Sequence, residues 1–241
     1  MRKLFVLVSG VMMIVLFMPL SSTYALPDAQ KIELEASDGL VLVGDFYRPA
    51  SEEPVPAVIL FHMRQGRRQD WEKLLPVLVD DYGIAVLNVD MRGHGETGST
   101  ADWEKAETDV QTWIDWLRAQ EGINPDAISL IGASIGSNLA IRGWANDPAI
   151  RTAVALSPGL DYFGVTTADA VEANADRPLM LVASRSDRPS GGDVVDLFNL
   201  TTGDSLVRLL DGSQHGTQIL SGKNADWLMQ AIVQWVILQS Q

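Results

Sequence analysis

No cysteine occurs among the 241 residues of this chain. Disulfide cross-links and a lipid-bearing N-terminal thiol are therefore excluded, and stability must come from a packed core, for which 46% hydrophobic residues are ample. Basic residues are scarce as well: 18 Lys and Arg stand against 31 Asp and Glu, a formal charge of −13. A surface of that sign repels phosphate backbones, so nucleic acid is not an expected partner. Histidine occurs only at His62, His94 and His215, which leaves imidazole chemistry few places to reside. Repeats and low-complexity tracts are also missing, and the length fits one large domain.

Long apolar runs are lacking except at the start. Arg2-Lys3 precede an apolar stretch from Leu4 to Leu20, broken only by Ser9, Gly10 and Pro19, and then comes Ser21-Ser22-Thr23-Tyr24-Ala25. A basic head, an apolar middle and small residues predict a secretory signal peptide over residues 1–25, with Thr23 and Ala25 where a signal peptidase reads. The expected location is periplasmic or extracellular. Uncleaved, the same run is just long enough to anchor the chain, and this is the only membrane contact expected. Cleavage leaves a single domain, residues 26–241, with 16 basic against 31 acidic residues and a charge near −15.

Within that domain, Lys31 to Ala36 and Leu40 to Tyr47 alternate apolar and polar residues about Asp38-Gly39, the pattern of an antiparallel hairpin. Ala57 to Phe61 is an uninterrupted apolar run, as expected of a strand covered on both faces. Strands are expected again at Ile84–Val89, Ile128–Ile131, Thr152–Leu156, Leu179–Ala183 and Ser205–Leu210. Helices are expected at Asp70–Asp81, kinked at Pro76, and at Trp103–Gln120, Asn138–Trp144, Asp193–Leu200 and Asp226–Leu238. Strand and helix in alternation predict an α/β fold: a mostly parallel, doubly wound sheet of about eight strands. Between Ser157 and Pro178 there is space for one short helix, Asp169–Asn174, so the site should have a minimal lid or none.

The densest signal is Gly132-Ala133-Ser134-Ile135-Gly136, set directly between a strand and a helix. A corner with no loop strains its central residue and pushes that side chain outward, while both glycines remove Cβ atoms that would collide with neighbouring backbone. Ser134 is the candidate nucleophile. A serine hydroxyl needs a base, and the base needs an acid to hold its tautomer. His62 and His94 precede Ser134, whereas His215 follows the last strand and would emerge at the same sheet edge, so His215 is the candidate base. Asp187, just past another buried strand, is the candidate acid, and Asp161 in the loop after the preceding strand is its rival. Position favours Asp187.

Together with Phe61-His62-Met63-Arg64 and Asp90-Met91-Arg92-Gly93-His94-Gly95, these segments make the chain resemble the α/β-hydrolases. It is similar to their small, lid-poor branch of dienelactone hydrolases and bacterial acyl esterases, although dienelactone hydrolases use a cysteine nucleophile that this chain lacks. The resemblance implies an oxyanion hole from the backbone N–H groups of Met63 and Ile135. It also implies a serine hydrolase acting on a small-molecule acyl substrate, an ester or thioester, with no cofactor and no metal. Relatives of the same plan cleave peptides, and a non-catalytic binding protein could retain the fold.

The remaining signals have plainer readings. His62 is expected to brace the oxyanion loop through backbone hydrogen bonds, and Gly93-His94-Gly95-Glu96-Thr97-Gly98 is expected to be a tight turn rather than a dinucleotide site, because the next helix starts only near Trp103. Arg64, Arg67 and Arg68 read as a solvated basic loop, with Arg64 as a candidate contact to a substrate carboxylate. Trp103, Trp113, Trp144, Trp227 and Trp235 are expected in the core, and Asn199-Leu200-Thr201 fits a glycosylation acceptor.

Overall fold

The computed structural model describes residues 26–241, so the expected signal segment lies outside the described residues. An eight-stranded sheet organises the chain. Its strands are β1 (Gln30–Glu35), β2 (Val41–Tyr47), β3 (Val55–Phe61), β4 (Ala85–Asp90), β5 (Ile123–Ala133), β6 (Ile150–Leu156), β9 (Leu179–Ser184) and β10 (Leu206–Leu210). They lie in the order β1-β2-β4-β3-β5-β6-β9-β10. β2 pairs antiparallel with both neighbours, and every pairing from β4 to β10 is parallel. The parallel strands therefore share one C-terminal edge, where ligands bind in open α/β sheets.

Both faces of the sheet are covered, which explains the unbroken apolar runs. Along β3, Ala57, Ile59 and Phe61 face one cluster with Trp113 and Trp144, while Val58 and Leu60 face another with Leu74, Leu78 and Ile232. Helices α1 (Trp103–Arg118) and α2 (Ile135–Asn146) cover the first face, and α5 (Ala225–Gln239) covers the second. Smaller helices α3 (Ala168–Ala173) and α4 (Ser190–Asn199) complete the layers.

Three local expectations are corrected. Residues 70–81 do not form one helix: a 3-10 turn, Arg68–Trp71, precedes a π-helical turn, Val77–Asp81. Pro76 has no N–H to give and its ring crowds the preceding turn, so the segment breaks where a kink was expected. β5 is longer than Ile128–Ile131 because its start pairs Ile123 with Val55, a contact that the exposed Asn124-Pro125-Asp126 conceals in the sequence. The stretch after β6 carries, besides α3, a two-stranded ribbon of β7 (Asp161–Tyr162) and β8 (Val165–Thr166).

The loop after β4 is fixed by charge. Arg68 is 5% exposed and joins Asp45, Asp90 and Glu96, so it belongs to an internal ion network and not to a solvated basic patch. The turn that follows is structural, as expected: a Cβ at Gly95 would enter the Asp90 carboxyl group, and Thr97 Oγ1 accepts from Val43 N–H at 2.8 Å. Of the tryptophans expected in the core, Trp113 and Trp144 are buried, Trp103 and Trp235 are partly covered, and Trp227 is 52% exposed on α5.

Candidate active site

Ser134 stands between β5 and α2 with φ 54° and ψ −126°, the strained corner that the pentapeptide predicts. The strain persists because the surroundings leave no room to relax. A Cβ at Gly132 would strike the Gly136 carbonyl, and one at Gly136 would strike the carbonyls of Phe61 and His62. Ser134 N–H also donates to Leu156 O at 2.8 Å. Close packing at Gly136 has a further effect: it presses the N-terminus of α2, and so Ile135, against the loop leaving β3, where Met63 lies.

Ser134, Asp187 and His215 meet at the C-terminal edge. Ser134 Oγ lies 2.8 Å from His215 Nε2, and the imidazole Nδ1 lies 2.9 and 3.0 Å from the two Asp187 oxygens. A carboxylate can only accept, so the proton sits on Nδ1, and Nε2 is left to accept the serine proton. Ser134 and Asp187 are 7% and 6% exposed, and the imidazole is more open. Asp161, the rival acid, instead closes the ribbon by accepting Gly164 N–H at 2.8 Å.

Two hydroxyls that the sequence did not single out hold the histidine loop. Ser157 Oγ accepts from Gly216 N–H at 2.9 Å, and Ser184 Oγ donates to Gln214 O at 2.7 Å, so both residues flanking His215 are tied to strand ends. Ser157 has φ 53°, an unusual backbone that no sequence pattern marks.

His62 braces the loop that carries Met63, as expected. Its Nε2 accepts from Met91 N–H at 3.0 Å, which fixes the proton on Nδ1, and that nitrogen donates to Met63 O at 2.7 Å. Burial in a dry setting lowers its pKa from the usual imidazole value to about 4, so the ring is neutral near pH 7. His94 Nδ1 lies 3.0 Å from Arg92 O, and its ring packs 5.0 Å from that of His62.

The triad opens into a cleft of about 400 Å³ lined by Met63, Arg64, Tyr162, Phe163, Arg188 and Pro189. Phe163 forms the tip of the ribbon, stacked on Trp103 at 5.7 Å with the Arg64 guanidinium 4.8 Å from its centroid. Tyr162 hydroxyl is 2.7 Å from Ser190 Oγ. Instead of a lid domain, a four-residue ribbon and a turn form the walls.

A family model described as X-Pro dipeptidyl-peptidase (S15 family) matches residues 38–210, from the first hairpin turn to the end of β10. The chain belongs to this family. The fold is that of the α/β-hydrolases: an esterase of Pyrococcus furiosus superposes with a TM-score of 0.75 at 17% identity over 89% of this chain and 92% of its own. A dienelactone hydrolase from Anabaena variabilis does so at 0.74 and 16%, over 90% and 100%. Among curated proteins, the 2,6-dihydropseudooxynicotine hydrolase of Paenarthrobacter nicotinovorans is 32% identical over 149 residues, 58% of this chain and 39% of that one. A thiohydrolase of Aspergillus aculeatus is 31% identical over 135 residues, 53% and 41%, and an uncharacterised protein of Mycobacterium tuberculosis is 27% identical over 121 residues, 50% and 43%. The aligned region thus spans less than half the length of these three relatives. Among the described residues, no cluster of His, Asp and Glu has metal-binding geometry and no helix is long and apolar enough to cross a membrane.

Proposed function

We propose that this protein is an exported serine hydrolase that cleaves an ester, thioester or related acyl bond of a small molecule through an acyl-enzyme. The observation that carries the reading is the unbroken chain of contacts from Ser134 Oγ through His215 to Asp187, 2.8 and 2.9 Å.

In this mechanism Ser134 Oγ attacks the substrate carbonyl while His215 Nε2 takes its proton. Asp187 keeps Nδ1–H in place and stabilises the imidazolium. Charge on the carbonyl oxygen is met by the backbone N–H groups of Met63 and Ile135, the second of them at the positive end of α2. Collapse of the tetrahedral state expels the alcohol or thiol, which takes the proton from His215. Water then attacks the acyl-enzyme with His215 as base again, and Ser134 is freed.

Membership of the S15 family favours a second reading, removal of N-terminal dipeptides. The cleft speaks against it: a free α-ammonium needs an anionic or strongly accepting partner, yet among the described residues the only carboxylate lining the cleft, Asp187, is paired with His215, and the other charges there belong to Arg64 and Arg188.

Turnover of chromogenic esters of graded chain length, run beside X-Pro anilides, tests the choice. Ester hydrolysis should dominate, and Asp187→Asn should lower kcat by about 10⁴-fold, as expected when the base loses its tautomer. Anilide cleavage above ester cleavage would support the peptidase, and no turnover of either substrate by the wild type would favour a binding protein that retains the fold.

A further inference from the structure

The charges around the triad have the opposite sign to the molecule. The protein carries a formal charge of −13, yet Arg64 and Arg188 line the catalytic cleft, and the one carboxylate that lines it among the described residues, Asp187, is occupied by His215. Neither arginine forms an ion pair among the described residues, whereas the buried Arg68 and Arg92 are each held by two or more carboxylates. In a chain so rich in Asp and Glu, guanidinium groups left without a carboxylate at the reaction site are available to a ligand.

Their placement adds to this. Arg64 follows Met63 directly, on the loop assigned to the oxyanion, and its guanidinium is steadied against the Phe163 ring, which spares part of the rotamer entropy a flexible side chain loses on binding. Arg188 follows the acid Asp187 directly. With Pro189 it also borders a second cleft, of about 680 Å³, lined by Arg185, Gly191 and Gly192. The two arginines thus border the reaction centre from the loops after β3 and β9. A planar guanidinium binds a carboxylate through paired N–H donors, so the geometry suits a planar anion better than a point charge.

We propose that the preferred substrates are esters or thioesters that carry a free carboxylate in addition to the scissile acyl group, with Arg64 and Arg188 as the residues that select them. This rests on the hydrolase reading above and narrows it to a substrate class.

The test compares p-nitrophenyl hemiglutarate with p-nitrophenyl pentanoate, esters of similar length that differ by one carboxylate. The wild type should favour the anionic ester by at least about tenfold in kcat/KM, mainly through KM, and about 0.5 M salt should weaken the preference because the arginines are exposed. The anionic-to-neutral ratio should fall by at least about tenfold in Arg64→Gln/Arg188→Gln and further in Arg188→Glu. An unchanged ratio in the double variant, or a wild type that prefers pentanoate, overturns the proposal while leaving the hydrolase reading intact. Calorimetry decides independently of turnover. The Ser134→Ala protein should bind monoethyl glutarate and lose that binding when both arginines are replaced, and absence of binding by Ser134→Ala itself counts against the proposal. If neither ester is hydrolysed but the ligand binds through the arginines, the hydrolase reading fails and the anion site stands.

Discussion

Two residues show how tightly the site is built. At Gly136 an added methyl group meets two backbone carbonyls, those of Phe61 and His62, and backbone cannot swing aside as a side chain can. Gly136→Ala should therefore cost about 1–3 kcal/mol of stability, by urea midpoint, and lower ester turnover by more than the fold is weakened, because the shift separates Ile135 from the Met63 loop. Retained turnover with full stability would show that the approach is not needed. His62 has a pH signature. Its folded-state pKa, about 4, lies below the ordinary 6.5, so the unfolded chain binds the extra proton between these values. Stability should then fall as pH drops from about 6.5 to 4, by about 3 kcal/mol from this group, and be unaffected by it above pH 7. His62→Gln, which keeps an acceptor for Met91 N–H, should flatten that part of the pH curve in thermal unfolding. An unchanged curve would contradict the assignment.

At the scale of elements, the sequence revealed what has period or sharp punctuation. The apolar runs gave the buried strands, and a Gly-x-Ser-x-Gly at a strand-helix corner gave Ser134. Chain order among three histidines gave His215, and Asp187 followed from its position past a buried strand. What stayed hidden depends on contacts between distant residues. The ribbon of Asp161–Tyr162 and Val165–Thr166 is too short for alternation to register, so nothing in the sequence marks Tyr162 and Phe163 as walls of the cleft. Arg68 looks solvated in the sequence because its partners Asp45, Asp90 and Glu96 come from β2 and from β4 with its following turn, up to 28 residues away. The network makes its own prediction. Asp90 is fully buried, and although Arg68 and Glu96 backbone N–H groups would still reach it, Arg68→Met removes the only cation paired with it among the described residues. The variant should lose about 3–5 kcal/mol in urea unfolding, and Arg68→Lys should recover only part, since one ammonium cannot reach three carboxylates at once. A loss below about 1 kcal/mol would mean that the buried charge finds other compensation.

For the molecule as a whole, the sheet serves as a frame that brings remote loops to one edge. Ser134 follows β5, Asp187 follows β9 and His215 follows β10, so three segments separated by 28 to 81 residues converge only because these strands run parallel. A core without disulfides holds that frame, with apolar clusters on both faces of the sheet. The proposed hydrolysis depends on the reactivity that this convergence gives one hydroxyl. Peptide mapping by mass spectrometry after treatment with a fluorophosphonate tests it most directly. A single adduct on Ser134 is predicted, lost in Ser134→Ala and strongly slowed in His215→Ala. Absence of an adduct on the folded wild type, or an adduct on another serine that persists in Ser134→Ala, would contradict the account.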